Sequence, residues 1–124
     1  MPDPFVIRSV PILDLPRSAE IVIEGGVNAT NAAMLKDKID RAIDREISFV
    51  SILMSNVAFV SSSGFGYLMD LAAMLERRGG ALALVDVQPK VKVVFNHLGM
   101  QNAFRFETSG ELARAYLRQQ AEKV

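Results

Sequence analysis

The stretch Phe59-Val60-Ser61-Ser62-Ser63-Gly64-Phe65-Gly66 joins an apolar run to a helical pattern. The run, residues 47–54, is rich in β-branched and aromatic residues and predicts a strand buried on both faces. The pattern that follows has apolar residues at helical spacing, at Leu68, Leu71, Ala72 and Leu75, widened by Phe65 and Met69. A strand end, a tight turn and a helix start are therefore predicted together.

This turn is the most informative segment for function. The first turn of a helix has free backbone N–H groups, and the helix dipole favours negative charge there. Ser62 or Ser63 is predicted to lie at the N-cap or next to it. Gly64 and Gly66 are poor helix formers, and their presence indicates that something approaches the backbone closely. A serine that only caps the helix is the alternative reading.

Strands and helices alternate along the rest of the chain. Further strands are predicted at residues 5–10, 20–24, 81–87 and 104–106. The predicted order is ββαβαβαβα, an α/β domain over residues 1–124 with a mixed, mostly parallel sheet of about five strands and four helices. The last helix is expected to turn Leu112, Ala115 and Tyr116 inward. The predicted core comprises Leu35, Ile39, Leu53, Leu68, Ala72, Leu75, Leu84, Val94 and Phe95.

Composition excludes several classes of function. The 124 residues include no cysteine and one histidine, His97, so disulfides, zinc sites and catalytic triads are hard to build. Lys plus Arg equals Asp plus Glu at 14 each, which argues against broad capture of nucleic acid or anionic membrane. Residues 1–4 lack the features of a signal peptide, and no apolar run reaches the ~20 residues of a membrane span. We therefore expect a cytoplasmic protein without metal or cofactor, and no pattern in the sequence indicates a particular oligomeric state.

The serine turn resembles the signature turn of STAS domains, the fold of bacterial anti-sigma factor antagonists, which typically reads Asp-Ser-Ser-Gly-Leu-Gly. The resemblance extends to residues 25–28, to the helix end at residues 78–80, to residues 89–99 and to the strand at residues 104–106. It implies a STAS fold and a regulatory, non-catalytic protein. It also implies that Ser62 is phosphorylated by a partner anti-sigma factor kinase, which releases the partner, and that a phosphatase restores binding.

Three positions depart from the acidic pattern of the family. Ser61, Asn28 and Asn56 stand where the resemblance implies carboxylates around the acceptor serine. Their neutrality removes ligands that a metal ion would use, and it lowers the repulsion that a phosphate would meet. These three residues, with Ser63, Gly64 and Gly66, form the predicted pocket around Ser62.

The helix after the turn also carries Tyr67 and Met74, predicted opposite its core stripe as exposed members of a protein interface. Three functions remain open on the sequence alone. The first is a phosphorylation-switched anti-sigma factor antagonist. The second is an unphosphorylated STAS subunit of a signalling assembly or of a transporter accessory complex. The third is a STAS module that binds a nucleotide or another anion at the turn.

Overall fold

Five strands form one sheet in the order β1-β2-β3-β4-β5 in the computed structural model, which describes residues 5–100 and 102–123. β1 is antiparallel to β2, and the other neighbours are parallel. The elements follow the predicted order ββαβαβαβα: β1 Val6–Val10, β2 Ser18–Glu24, α1 Ala29–Ala42, β3 Phe49–Asn56, α2 Ser62–Arg77, β4 Ala81–Val85, α3 Pro89–His97, β5 Arg105–Glu107 and α4 Gly110–Glu122. The mixed, mostly parallel α/β architecture is confirmed.

Both faces of the sheet are buried, because successive side chains of a strand point to opposite sides and each side is covered by helices. In β3, Val50, Ile52 and Met54 join the main core with side chains of α1, α2 and α3. The alternate residues Phe49 and Leu53 join smaller clusters with Ala113 and Leu117 of α4. Three helices therefore cover one face of the sheet and α4 covers the other, which leaves α2 and its serine turn on the three-helix side.

Most of the predicted core is buried, with three exceptions. Leu53 and Ala72 are only partly buried, and Val94 is 39% exposed. Val94 lies on the flank of α3, whose inward positions are Val91 and Phe95. Helical spacing finds the stripe of a helix, but the width of the stripe depends on the neighbouring elements.

The end of β4 and the inward face of α4 also differ from the predictions. β4 ends at Val85, because Asp86 adopts a positive φ of 53° that interrupts the extended backbone. In α4 the fully buried residues are Ala113 and Leu117, and Leu112 is 50% exposed, so the prediction that Leu112 and Ala115 point inward was wrong. Ser109 caps this helix and accepts a hydrogen bond from Leu112 N at 3.2 Å.

Candidate protein-binding site

The loops after β2 and β3 are joined by a single parallel bridge between Val27 and Val60. Val27 N–H donates to the Phe59 carbonyl at 2.7 Å, and Ser61 N–H donates to the Val27 carbonyl at 2.6 Å. Asn28 and Ser61 each follow a bridged residue and each begin a helix. The N-termini of α1 and α2 therefore start side by side at the carboxyl edge of the sheet.

Ser61 is the N-cap of α2. Its Oγ accepts a hydrogen bond from Gly64 N–H at 3.2 Å, which satisfies one of the free donors of the first turn. Ser62 occupies the first helical position and is exposed, as is Ser63. Ser62 or Ser63 was predicted at the N-cap or next to it; the cap is Ser61, and Ser62 is the residue next to it. The Ser62 hydroxyl is left accessible from solvent because its neighbour performs the capping.

The side chain of Asn28 caps the N-terminus of α1. Its Oδ1 accepts from Asn31 N at 2.9 Å, while the Asn31 side chain accepts from Asn28 N at 2.7 Å in a reciprocal capping box. Asn31 Nδ2 also donates to the Gly26 carbonyl at 2.8 Å. The amide of Asn28 therefore stabilises the start of α1, directly beside the serine turn.

Asn56 ends β3 and is exposed; its carbonyl accepts a hydrogen bond from Gly25 N–H at 3.1 Å. One residue earlier, the Ser55 carbonyl accepts from Gln88 Nε2 at 2.8 Å, and Gln88 is the N-cap of α3. The starts of α1, α2 and α3 thus lie along one edge of the sheet. None of the three helices has an acidic residue in its first turn, so the partial positive charges of the helix ends are not offset there.

The two glycines of the turn have different surroundings. A β-carbon at Gly64 would lie 2.8 Å from Val60 Cγ1 and 2.9 Å from Val27 Cγ1, closer than side chains approach. Gly64 is therefore needed by the packing under the turn. A β-carbon at Gly66 would meet no atom within 4 Å, and Gly66 is exposed. The fold does not require a glycine at position 66, which leaves a bare strip of helix backbone facing solvent.

Tyr67 and Met74 are not the exposed residues that the sequence predicted. Tyr67 is 8% exposed, and its hydroxyl donates to Asp40 Oδ1 of α1 at 3.1 Å. Burial, and next the nearby Asp40 carboxylate, raise the pKa of Tyr67 above its usual range. Met74 is partly buried against the main core and contacts Arg78. Both residues lie on the side of α2 that packs against α1, a contact that a helical pattern alone does not reveal.

Phe59 is an exposed aromatic residue of the site whose position was not predicted from the sequence. It is 55% exposed, immediately before the buried Val60, and its carbonyl is held by Val27. Because successive side chains of an extended segment point to opposite sides, the burial of Val60 in its bridge with Val27 places Phe59 outside. The site therefore combines an exposed aromatic ring with two accessible serines and a bare glycine.

Among residues 5–100 and 102–123, no group of three or more His, Cys, Asp or Glu side chains is placed to hold a metal ion. Within the same residues no helix has both the length and the apolar character needed to cross a bilayer.

Comparison with known proteins places this geometry in a family. The STAS domain model matches residues 14–113. The chain is 28% identical over 93 residues to BtrV of Bordetella bronchiseptica, covering 75% of this chain and 80% of that protein. It is 25% identical over 79 residues to the anti-sigma F factor antagonist of Paenibacillus polymyxa, covering 63% and 68% respectively.

Solved structures show the same fold. An anti-sigma factor antagonist from Mycobacterium paratuberculosis has a TM-score of 0.74 at 19% identity, with 95% of this chain and 99% of that one covered. The antagonist SpoIIAA in its unphosphorylated form has a TM-score of 0.68 at 17% identity, with 93% and 98% covered. The phosphorylated form of SpoIIAA, from Bacillus, gives 0.67 at 19% identity, with 91% and 98% covered. With the family model matching most of the chain and the serine turn in its expected place, this protein belongs to the STAS domain family.

Proposed function

We propose that this protein is a non-catalytic anti-sigma factor antagonist that binds an anti-sigma factor through the surface around its serine turn. The relative from Paenibacillus polymyxa carries that function in its name, and SpoIIAA shares the fold. The observation that carries the proposal is the exposure of Ser62 at the first position of α2, beside a cap that does not need it.

Ser62 is the acceptor in a phosphorylation switch operated by a serine kinase partner and reversed by a phosphatase. A phosphate on Ser62 would meet the free amides and the positive end of the α2 dipole, which favour anions. Ser61 is less suited, because its hydroxyl already accepts from Gly64 N–H. The neutral Asn28, Asn56 and Ser61 leave no carboxylate of their own to repel the phosphate. The modified domain should therefore stay folded.

The effect of the phosphate falls on the partner. It adds about −2 charge to the middle of the surface and must be desolvated when the interface forms. An anti-sigma factor that binds the unmodified turn is therefore released. Phe59 and the bare backbone at Gly66 provide apolar contact and close approach on either side of the serine.

Calorimetric titration against each purified anti-sigma factor encoded in the same genome tests the proposal. We expect one of them to bind the wild type, Ser62→Ala to bind equally, and Ser62→Asp to bind ~1–3 kcal/mol more weakly. Ser9→Asp, the same change on exposed β1, is the matched control and should bind normally. Binding by no anti-sigma factor, or normal binding by Ser62→Asp, would contradict the proposal. Mapping of the phosphorylated site should find Ser62 and not Ser61 or Ser63.

A second function is favoured by the same neutral residues. A STAS subunit that is never phosphorylated, within a signalling assembly or a transporter accessory complex, needs no acidic surroundings for an acceptor serine. Asn28 in particular serves the capping of α1. In that case the protein should co-purify with its assembly at a fixed stoichiometry, and Ser62→Asp and Ser62→Ala should assemble alike. A nucleotide-binding function predicts instead a rise in melting temperature on addition of a nucleotide.

A further inference from the structure

The sheet is open on one side at the beginning of β4. β5 pairs with β4 only from Ala83 to Val85, so among the described residues Ala81 and Leu82 have a strand neighbour on the β3 side alone. A cleft of about 600 Å³ lies where a longer β5 would run, and Gly80, Ala81 and Leu82 form its floor. The cleft passes round the edge of the sheet, from α2 on one face to α4 on the other. We call it the edge cleft.

The floor presents one backbone acceptor and one backbone donor to the edge cleft. Ala81 N–H donates to the Ser48 carbonyl at 2.9 Å, toward β3. The Gly80 carbonyl belongs to the same trans peptide and therefore points the opposite way, to the cleft. The parallel pairing of Ala81 with Phe49 turns the Ala81 carbonyl toward β3 as well, so Leu82 N–H also points to the cleft. An acceptor and a donor thus stand two residues apart on an edge that no described strand covers.

The two walls of the edge cleft lie on opposite sides of the plane of the sheet. On the three-helix side the wall is apolar, with Met69 and Ala73 of α2 and the buried Phe104. On the α4 side the guanidinium carbon of Arg105 lies over the ring of Tyr116, 4.8 Å from its centroid. Met69 was predicted in the core stripe of α2; its 39% exposure corrects that prediction and leaves its side chain available to the cleft. A space between two such walls has the shape of a slot.

The charges around the edge cleft suit an uncharged ligand. The charged residues of its lining are Glu76 and Arg105, and Arg105 Nε is already paired with Glu107 Oε1 at 2.6 Å. Arg77 and Arg78 follow Glu76 but are outside the lining, and Arg78 donates instead to two carbonyls of the segment after α1. α2 and α4 both end near this edge, and the C-termini of helices carry partial negative charge. The cleft therefore has no surplus of positive charge to hold a phosphate.

These features fit a planar nitrogen heterocycle. A ring with a donor beside an acceptor can pair with the Gly80 carbonyl and Leu82 N–H together while it lies in the plane of the sheet. Its faces then contact Met69 on one side and the stacked guanidinium on the other, and both groups pack favourably on aromatic rings. The volume of the cleft is in the usual range for a small-ligand site. An extended peptide can make the same two hydrogen bonds, but residues 102–104 line the slot on the β5 side, so an added strand has no room to continue there.

We propose that the edge cleft binds an uncharged planar nitrogen heterocycle of the nucleobase class through two hydrogen bonds to the backbone of Gly80 and Leu82. The side-chain amides of Asn102 and Gln120 also line the cleft and can donate to or accept from substituents of the ring. The site lies at the opposite end of α2 from Ser62 and does not depend on the proposed function. It also differs from an anion site at the serine turn, because its ligand is recognised by the edge and faces of a ring.

Amide shifts in isotope-labelled protein on titration with free adenine and with hypoxanthine test the site. Adenine presents its amino group and the neighbouring ring nitrogen as donor and acceptor. We expect the Leu82 amide to shift most, because it donates directly to the ring, with smaller shifts at Met69 and Arg105. Dimethyladenine, in which methyl groups replace both hydrogens of the amino group, keeps the ring but cannot donate to the Gly80 carbonyl. It should bind at least about tenfold more weakly than adenine.

Ala73→Trp fills the slot from the α2 wall and should weaken adenine binding at least about tenfold. Ala115→Trp is the matched control, because Ala115 is exposed on α4 outside the lining, and it should bind as the wild type does. Shifts with neither base, shifts centred outside the cleft, equal binding of adenine and dimethyladenine, or normal binding by Ala73→Trp would each overturn the proposal. Shifts of the same amides by end-blocked trialanine, and not by the bases, would show a strand-binding slot and overturn it too. If Ala73→Trp does not fold, the comparison of adenine with dimethyladenine on the wild type decides.

Discussion

The hydroxyl of Tyr67 lies 3.1 Å from Asp40 Oδ1, and this hydrogen bond links α2 to α1. Lys36 Nζ, also of α1, lies 2.8 Å from the other oxygen of Asp40. One carboxylate is therefore contacted by side chains of both helices. The pKa of Tyr67 is raised, first by burial and then by Asp40, and the pKa of Lys36 is raised by its hydrogen bond to Asp40.

This arrangement predicts a loss of stability at high pH. A phenol with a raised pKa in the folded protein contributes stability that is fully present below its ordinary pKa of 10.0 and is lost as the pH rises above it. Urea unfolding of the wild type should therefore give a free energy that falls above about pH 10. Tyr67→Phe should be less stable at neutral pH and should show a shallower fall. Parallel pH profiles for the two proteins would contradict the assignment.

Substitution by alanine is expected to have opposite effects on stability at Gly64 and at Gly66. Gly64→Ala forces a β-carbon against Val60 and Val27 and should cost ~1–3 kcal/mol of unfolding free energy. Gly66→Ala meets open space inside a helix and should stabilise the fold by ~0.5–1 kcal/mol. Urea denaturation of both variants checks the pair. A stabilised Gly64→Ala would show that the turn can relax around a methyl group.

Because Ser61 caps α2, alanine substitution at the three serines of the turn is expected to change the free energy of unfolding by different amounts. Ser61→Ala removes the acceptor for Gly64 N–H and should lower the free energy of unfolding by ~1 kcal/mol. Ser62→Ala and Ser63→Ala, at exposed helical positions, should change it by less than ~0.5 kcal/mol. Thermal melts of the three variants compare their stabilities directly. An equal loss of stability for Ser62→Ala would show that Ser61 is not the residue that caps α2.

The buried stripe of α2 predicts large effects on stability. Leu68 and Leu75 are 1% and 0% exposed, so truncation of either to alanine should cost ~2–5 kcal/mol. Leu112→Ala is the matched control, because Leu112 is 50% exposed on α4 and should cost much less. Urea melts of the three variants measure the difference. Losses under ~0.5 kcal/mol at both core leucines would refute the packing described for α2.

Removal of metal ions is expected to leave the stability of the fold unchanged. The chain has one histidine and no cysteine, and the described residues bring together no cluster of potential ligands. Dialysis against a chelator should leave the melting temperature unchanged. A large drop that a divalent cation reverses would show a metal requirement.

The order and type of the elements could be predicted because each has a clear local signal. The apolar run before the serine turn becomes β3, and Leu68, Leu71 and Leu75 repeat at the spacing that α2 buries. The start of α2 within the serine turn was also predictable, although the cap is Ser61 and not Ser62 or Ser63. These features depend on residues that are close together in the chain.

The remaining features depend on contacts between distant segments. Tyr67 is buried because α1 supplies Asp40, 27 positions away in sequence. Leu112 is exposed because α4 packs Ala113 and Leu117, and not Leu112, against the sheet. Phe59 is turned outward by the bridge that Val27 makes with Val60. No pattern within a single helix or strand encodes these relationships.

The division of helices between the two faces of the sheet has a practical consequence for handling the protein. α4 lies on the face opposite α1, α2 and α3. A tag or fused domain attached after α4 would thus be separated from the serine turn by the thickness of the sheet. Immobilisation on a sensor surface through that tag would present the serine turn to the solution. Random coupling through lysines would instead involve Lys90 and Lys92 of α3, on the same side of the sheet as the turn.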